Sequence, residues 1–135
     1  MSDPSSKACP CGSGHPLSAC CGRWHSGPQH LQAPDAEALM RSRYCAYVLD
    51  RLDYLSDTWH PRTRPADLTV NPPGLRWLGL EVRSHRVTGP DRAEVSFVAR
   101  SKLGGRAQRL QETSRFERAA LEGAPRWYYV EGNLG

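Results

Sequence analysis

The chain has 135 residues, a formal charge of +4, 39% hydrophobic and 24% charged residues, the balance of one water-soluble domain with a small appendage and not of two full domains. It contains no run of roughly 18 apolar residues, and Met1–Lys7 lacks an apolar stretch, which excludes a membrane-spanning helix and a secretory leader and predicts a cytosolic protein. In that reducing compartment an odd number of cysteines, five, points to metal ligation or free thiols and away from disulfides.

Residues 1–34 carry Cys9, Cys11, Cys20 and Cys21 among Pro4, Pro10, Pro16, Pro28 and Pro34, with few aliphatic residues. Such a stretch cannot bury enough apolar area to fold unaided and needs a staple. Cys9-Pro10-Cys11 and Cys20-Cys21 are two close pairs with eight residues between them, so one short loop brings four sulfurs to a single ion at small entropic cost. Four thiolates suit tetrahedral Zn2+ and leave no open position, which predicts a structural ion held by Cys9, Cys11, Cys20 and Cys21. Gly12-Ser13-Gly14 supplies turns and backbone N–H groups to the sulfurs. His15, His25 and His30 lie close enough in sequence for one to replace a thiolate, but are expected at the solvent surface. Four thiolates and one divalent ion would turn this segment negative, and only Arg23 and Trp24 resemble a nucleic-acid grip, so nucleic acid is disfavoured as a partner.

From Asp35 the pattern becomes helical. Asp35 is the expected N-cap, Glu37 complements the helix dipole, and Ala36, Met40, Tyr44, Tyr47 and Val48 recur at helical spacing. This predicts one helix over about 35–50 and a shorter one over about 51–58. Cys45 falls inside the first and is expected to be a small, partly buried side chain. Pro61, Pro65, Pro72, Pro73 and Gly74 make 60–75 a loop. Alternation then predicts strands with Leu78, Leu80 and Val82 on one face, then Val95, Phe97 and Ala99, then Leu110, Glu112, Ser114 and Phe116, and a last strand over Trp127–Glu131. Thr88-Gly89-Pro90-Asp91, Gly104-Gly105 and Glu122-Gly123-Ala124-Pro125 are the turns between them. Helices followed by a meander define an α+β fold, with helices on one face of a curved antiparallel sheet of about four strands. The composition shift places a zinc module at 1–33 and the α+β body at 34–135.

Two resemblances sharpen this picture. Cys9-Pro10-Cys11-Gly12-Ser13-Gly14 followed by Cys20-Cys21-Gly22 resembles the SEC-C motif, a small zinc module of the SecA translocation ATPase and many other bacterial proteins. It implies a zinc-centred hairpin and helix turn that contacts a protein partner. Ala38-Leu39-Met40-Arg41-Ser42-Arg43-Tyr44, Thr58-Trp59-His60-Pro61, Trp77-Leu78-Gly79-Leu80-Glu81-Val82, Glu112-Thr113-Ser114-Arg115-Phe116 and Trp127-Tyr128-Tyr129-Val130-Glu131-Gly132 resemble the bacterial YchJ family. That resemblance implies the cystatin-like cone of nuclear transport factor two (NTF2), in which helices and a curved sheet enclose a pocket; it implies no particular activity.

A cone has a mouth, and polar residues facing it are candidate pocket residues. Arg43 shares a helix face with Met40, Tyr44 and Tyr47, and Glu112 alternates with Ser114 and Phe116. This predicts a buried Arg43–Glu112 pair, with Tyr47, Tyr54, Trp59, Ser114 and Trp127 around it. His60 is a candidate base, but no nucleophile, phosphate loop or dinucleotide motif accompanies it, so no enzyme class is assigned. The sequence therefore predicts a protein-contact adaptor with a structural zinc module; the alternative is a small-molecule binding or hydrolytic enzyme using the cone pocket. The open sheet face is compatible with a homodimer, and no membrane partner is expected.

Overall fold

The computed structural model describes residues 7–121 and 123–134, with Leu134 described by its backbone alone. Glu122 of the last expected turn and the first six residues of the expected module lie outside the described residues. No helix among the described residues is long and apolar enough to cross a membrane.

The chain begins with a small hairpin in which Ala8 bridges Pro16, Cys9 N–H donates to the His15 carbonyl (2.8 Å) and Leu17 N–H to the Lys7 carbonyl (2.8 Å). A 3-10 turn, Leu17–Ala19, leads into the one-turn helix α1, Gly22–His25. Helix α2 spans Ala36–Val48, and Asp35 caps it by accepting from Ala38 N–H at 2.7 Å. Capping of this kind satisfies one of the four free N–H groups at a helix start. At the other end Asp50 is left-handed (φ 54°), which lets Arg51 N–H reach the Ala46 carbonyl at 2.8 Å and closes the helix. Helix α3 follows over Leu52–Asp57.

Four strands, β1 (Arg76–Gly89), β2 (Arg92–Leu103), β3 (Arg106–Ala119) and β4 (Arg126–Leu134), form an antiparallel meander in the order β1-β2-β3-β4. Gly104 and Gly105, with φ of 58° and 79°, make the tight β2–β3 turn that side-chain-bearing residues resist. The protein is thus α+β with a four-stranded antiparallel sheet, as the alternation predicts. The outer edge of β4 is covered: Tyr129 N–H donates to the Thr58 carbonyl and His60 N–H to the Tyr129 carbonyl, both at 2.8 Å, so the segment after α3 pairs with the sheet.

One expected face is corrected. The β1–β2 register slips between Trp77 and Gly79, and the extra residue rotates the strand end. Trp77 turns inward, Leu78 is left 54% exposed, and Leu80 and Val82 stay half-buried on the core side.

Helix α2 is the centre of the molecule. Its buried residues lie on most of its circumference: Met40 and Tyr44 on the sheet side, and Ser42, Cys45 and Ala46 on the side of α1 and α3. One hydrophobic core runs from Cys9, Leu17 and Trp24 of the leading segment through Leu39 and Leu55 to Val95 and Phe116 of the sheet. The boundary near residue 34 is therefore a change in composition that the core crosses without a break.

Candidate functional site

Four thiols converge beside α2. The Sγ atoms of Cys9, Cys11, Cys21 and Cys45 all lie within 4.8 Å of one another, and each residue is at most 4% exposed. Four sulfurs at about 2.3 Å from a tetrahedral Zn2+ would stand about 3.8 Å apart, so the cluster has the dimensions of a metal site. Cys9 and Cys11 come from the hairpin, whose reversal is set by Gly12 N–H donating to the Cys9 carbonyl (3.1 Å). Cys21 immediately precedes α1, and Cys45 reaches in from α2, its sulfur 3.4 Å from that of Cys9. Arg41, one turn earlier on α2, donates to the Cys11 carbonyl at 3.1 Å and to Glu37 at 3.0 Å, fastening the hairpin to the helix.

Cys20 stands outside this quartet. It is half-buried, 3.7 Å from the Cys11 sulfur and 3.1 Å from the Ser13 hydroxyl. The set expected from spacing, Cys9, Cys11, Cys20 and Cys21, thus differs from the buried cluster at one position. Adjacent residues at a helix start project to different sides, so Cys20 and Cys21 do not face one centre equally. Cys45 is not the partly buried bystander that helix position alone suggests: it is 0% exposed and completes the cluster. The neighbouring thiols of Cys21, Cys45 and Cys9 hold the Cys11 thiol far below its ordinary pKa, while Cys11 beside it pushes Cys21 up. The cluster therefore prefers a thiolate at its centre.

His25 is a second correction, because it is buried and not at the solvent surface. Its Nε2 donates to the Ser42 carbonyl at 2.7 Å, and its Nδ1 accepts from Arg51 at 2.8 Å. Burial, aided by the Arg51 charge and opposed by the Ser42 carbonyl, lowers its pKa to about 4. His15 and His30 are exposed, as expected.

The expected pocket exists between α2 and the sheet. It is a chamber of about 420 Å3 walled by Tyr44, Trp77, Phe97 and Phe116, with Leu110 and Val70 near its mouth. Arg43, Tyr47, Glu112 and Ser114 all line it. Tyr54, Trp59 and Trp127 do not line it. Tyr54 lies on the other side of α2, 2.6 Å from the Ser42 hydroxyl, and Trp127 lines a separate groove with His30 and Leu31. Trp59 stacks behind Arg43, whose guanidinium carbon is 4.9 Å from the Trp59 ring and 4.5 Å from the Tyr129 ring.

The expected Arg43–Glu112 ion pair does not form: no contact between them within 4.0 Å occurs among the described residues. Arg43 instead donates to the Leu55 carbonyl (2.8 Å) and the Thr58 hydroxyl (2.6 Å), while Glu112 accepts from Ser114 at 2.7 Å. The reason is reach: α3 and its C-cap bring the Leu55 carbonyl and the Thr58 hydroxyl under the Arg43 side chain, and both accept from its Nη1. His60, the candidate base, faces away from the chamber, with its Nδ1 accepting from Arg62 N–H and its ring against Tyr128.

Fold and cluster together define an NTF2-like cone with an N-terminal cysteine motif docked on its central helix. Residues 35–132 match the family model described as the YchJ middle NTF2-like domain, and the chain belongs to that family. It is 61% identical to the UPF0225 protein Mpe_A2093 of Methylibium petroleiphilum, over 93% of this chain and 88% of the relative. Identity to a UPF0225 protein of Bordetella pertussis is 53%, over 98% and 97% of the two chains. Two solved structures share the fold. A SEC-C motif containing protein from Psychrobacter arcticus superposes with a TM-score of 0.80 at 27% identity, covering 98% of this chain and 85% of that one. RPA3114, a SEC-C motif containing protein from Rhodopseudomonas palustris, gives 0.75 at 33% identity, covering 96% and 99%.

Proposed function

We propose that the protein is a zinc protein in which one structural Zn2+, held by Cys9, Cys11, Cys21 and Cys45, fastens the leading segment to the cone. The observation that carries this reading is the buried quartet drawn from two hairpin residues, a helix start and the centre of α2. Four thiolates close the coordination sphere, so the ion's role is to hold structure. Apparent binding energies of about 10–16 kcal/mol are typical for such sites, enough to offset the missing apolar core of the segment. The exposed turn Gly12–His15 remains on the outside of the docked hairpin and is the surface it offers to the protein partner that the motif predicts.

Metal analysis of reduced, full-length protein tests the ligand set. One zinc per chain is expected in the wild type and in Cys20→Ser. Cys45→Ser should lose tight binding, and its Co2+ form should lose part of the sulfur-to-metal charge-transfer absorption. A Cys45→Ser protein that keeps one tightly held ion with an unchanged Co2+ spectrum, or a Cys20→Ser protein that loses it, overturns the quartet.

A further inference from the structure

The chamber's polar groups are placed unlike those of a simple packing defect. The Glu112 carboxylate is half-buried on β3, where it accepts a hydrogen bond from Ser114. It lies against Gly132 of β4, where a Cβ would stand 2.5 Å from the Glu112 carboxyl carbon and 2.7 and 2.8 Å from its oxygens. Glycine at this position thus leaves room for the carboxylate beside β4. Tyr129, on the neighbouring strand β4, also lines the chamber, and its phenol makes no hydrogen bond to a described protein group. Burial, with the Glu112 charge adding to it, raises its pKa to about 12, so it stays a neutral hydroxyl.

Apart from Arg43, Thr69 and Asn71 the remaining wall is aromatic and aliphatic, and the volume falls in the ~300–1,000 Å3 range of small-molecule sites. Large apolar side chains are exposed at the mouth: Tyr47 (36%), Leu110 (38%) and Val70 (60%). Asn71 ties the rim to the end of α2 and to Trp77 of β1. Its N–H donates to Asp50 (2.8 Å), its side-chain amide donates to the Tyr47 carbonyl (2.6 Å), and its side-chain oxygen accepts from Trp77 (3.4 Å).

Charge narrows the ligand. The chamber contains one buried guanidinium and one carboxylate, so it is neutral overall; an anion would face Glu112 and a cation would approach Arg43. An acceptor with spare capacity inside aromatic walls selects a ring that brings a hydrogen-bond donor. We propose that the cone chamber binds a small uncharged ring compound carrying a hydroxyl, which donates to the Glu112 carboxylate while the ring lies among Tyr44, Trp77, Phe97 and Phe116. This site is separate from the cysteine cluster and does not depend on the metal assignment.

The test uses full-length, metal-replete protein and three probes of similar size: 2-naphthol, 2-methoxynaphthalene and 2-naphthoate. Binding is followed by amide and indole NMR shifts. Saturable shifts at Gly132 and the Trp77 indole are expected with 2-naphthol, with affinity at least about tenfold weaker for 2-methoxynaphthalene, which lacks the donor, and no saturation with the anion. Gly132→Ala displaces the Glu112 carboxylate without removing its charge, and should abolish the difference between the first two probes. Leu110→Trp, which fills the mouth from a partly exposed strand position, should abolish binding of both. Equal affinity for 2-naphthol and its methyl ether overturns the proposal, as does the absence of saturable 2-naphthol shifts in the chamber. Chamber resonances that move with protein concentration alone would show the mouth closed by a second copy, and overturn it as well.

Discussion

Acid should weaken this fold through one histidine. His25 is 7% exposed, and the two contacts to its ring nitrogens fix its tautomer. A carbonyl can only accept, so Nε2 must carry the proton toward Ser42, and Nδ1 must present its lone pair to the Arg51 guanidinium. Protonating Nδ1 would turn that hydrogen bond into two donors and two positive charges facing each other, with His30 adding to the repulsion. The folded-state pKa of about 4, against 6.5 for the free side chain, corresponds to about 3 kcal/mol at about 1.4 kcal/mol per unit. Between those values the unfolded chain binds the extra proton and the native chain refuses it. The contribution is therefore complete above about pH 6.5 and is lost progressively as the pH falls toward about 4. Urea denaturation of wild type and His25→Gln from about pH 7.5 to about pH 4.5 isolates the effect, since every other titrating group is common to both. The wild type should lose stability relative to the variant across this range. Parallel stability curves, or an imidazole that titrates near 6.5 by NMR, would refute the reasoning.

Other substitutions test the packing described above. Gly22→Ala would place a Cβ 2.7 Å from the Leu17 carbonyl oxygen, a backbone atom that cannot swing away; a loss of about 1–3 kcal/mol is expected in thermal denaturation, whereas a wild-type melt would show that the turn before α1 yields. Phe116→Ala, at a site 2% exposed at the base of the chamber, should cost about 3–5 kcal/mol by chemical denaturation. Arg43→Met removes the donors to Leu55 and Thr58 and both ring contacts; a loss of about 2–4 kcal/mol is expected, and a loss below about 1 kcal/mol would mean that the guanidinium is dispensable. Asp35→Ala should cost about 1 kcal/mol and fray the first turn of α2, visible as faster amide exchange at Ala38.

The sheet is readable from the sequence because its signals are local. Glycines at 104 and 105 encode a tight turn, and Val95, Phe97, Ala99, Leu110, Ser114 and Phe116 alternate with the pleat, so strand order and inward faces follow from neighbours in the chain. The bulge at Leu78 is hidden because Trp77-Leu78-Gly79-Leu80 alternates equally well in either phase until the β2 register fixes it. Chamber residues on α2 and β3 are legible for the same reason that the elements are. Tyr54, Trp59 and Trp127 are misplaced by sequence alone because aromatic character says that a residue is buried, not on which side of α2. Cys45 and His25 escape because their partners are distant: 36 positions separate Cys45 from Cys9, and 17 separate His25 from Ser42. A signal for both does exist. Ser42, Cys45 and Ala46 are small residues lying away from the Met40–Tyr44 face, which is the composition of a helix packed closely on both sides.

That second packed side changes what a cysteine substitution should do. Spacing alone treats the leading segment, 1–33, as a module whose loss leaves the cone intact. The structure joins the two parts by contacts of three different kinds: the Cys9–Cys45 approach, the Arg41 bond to the Cys11 carbonyl and the His25 bond to the Ser42 carbonyl. Two of these land on backbone carbonyls that no side-chain substitution removes, and all of them involve α2, which also walls the chamber through Arg43 and Tyr44. A helix that supplies one face to the cysteine cluster and another to the chamber cannot lose its packing on one side without strain reaching the other. On the proposed Zn2+ assignment, chelation should therefore lower the melting temperature of the cone itself, read from the near-ultraviolet signal of Trp77 and its neighbours. A cone signal that melts at an unchanged temperature after complete chelation would show that α2 is held by the sheet alone.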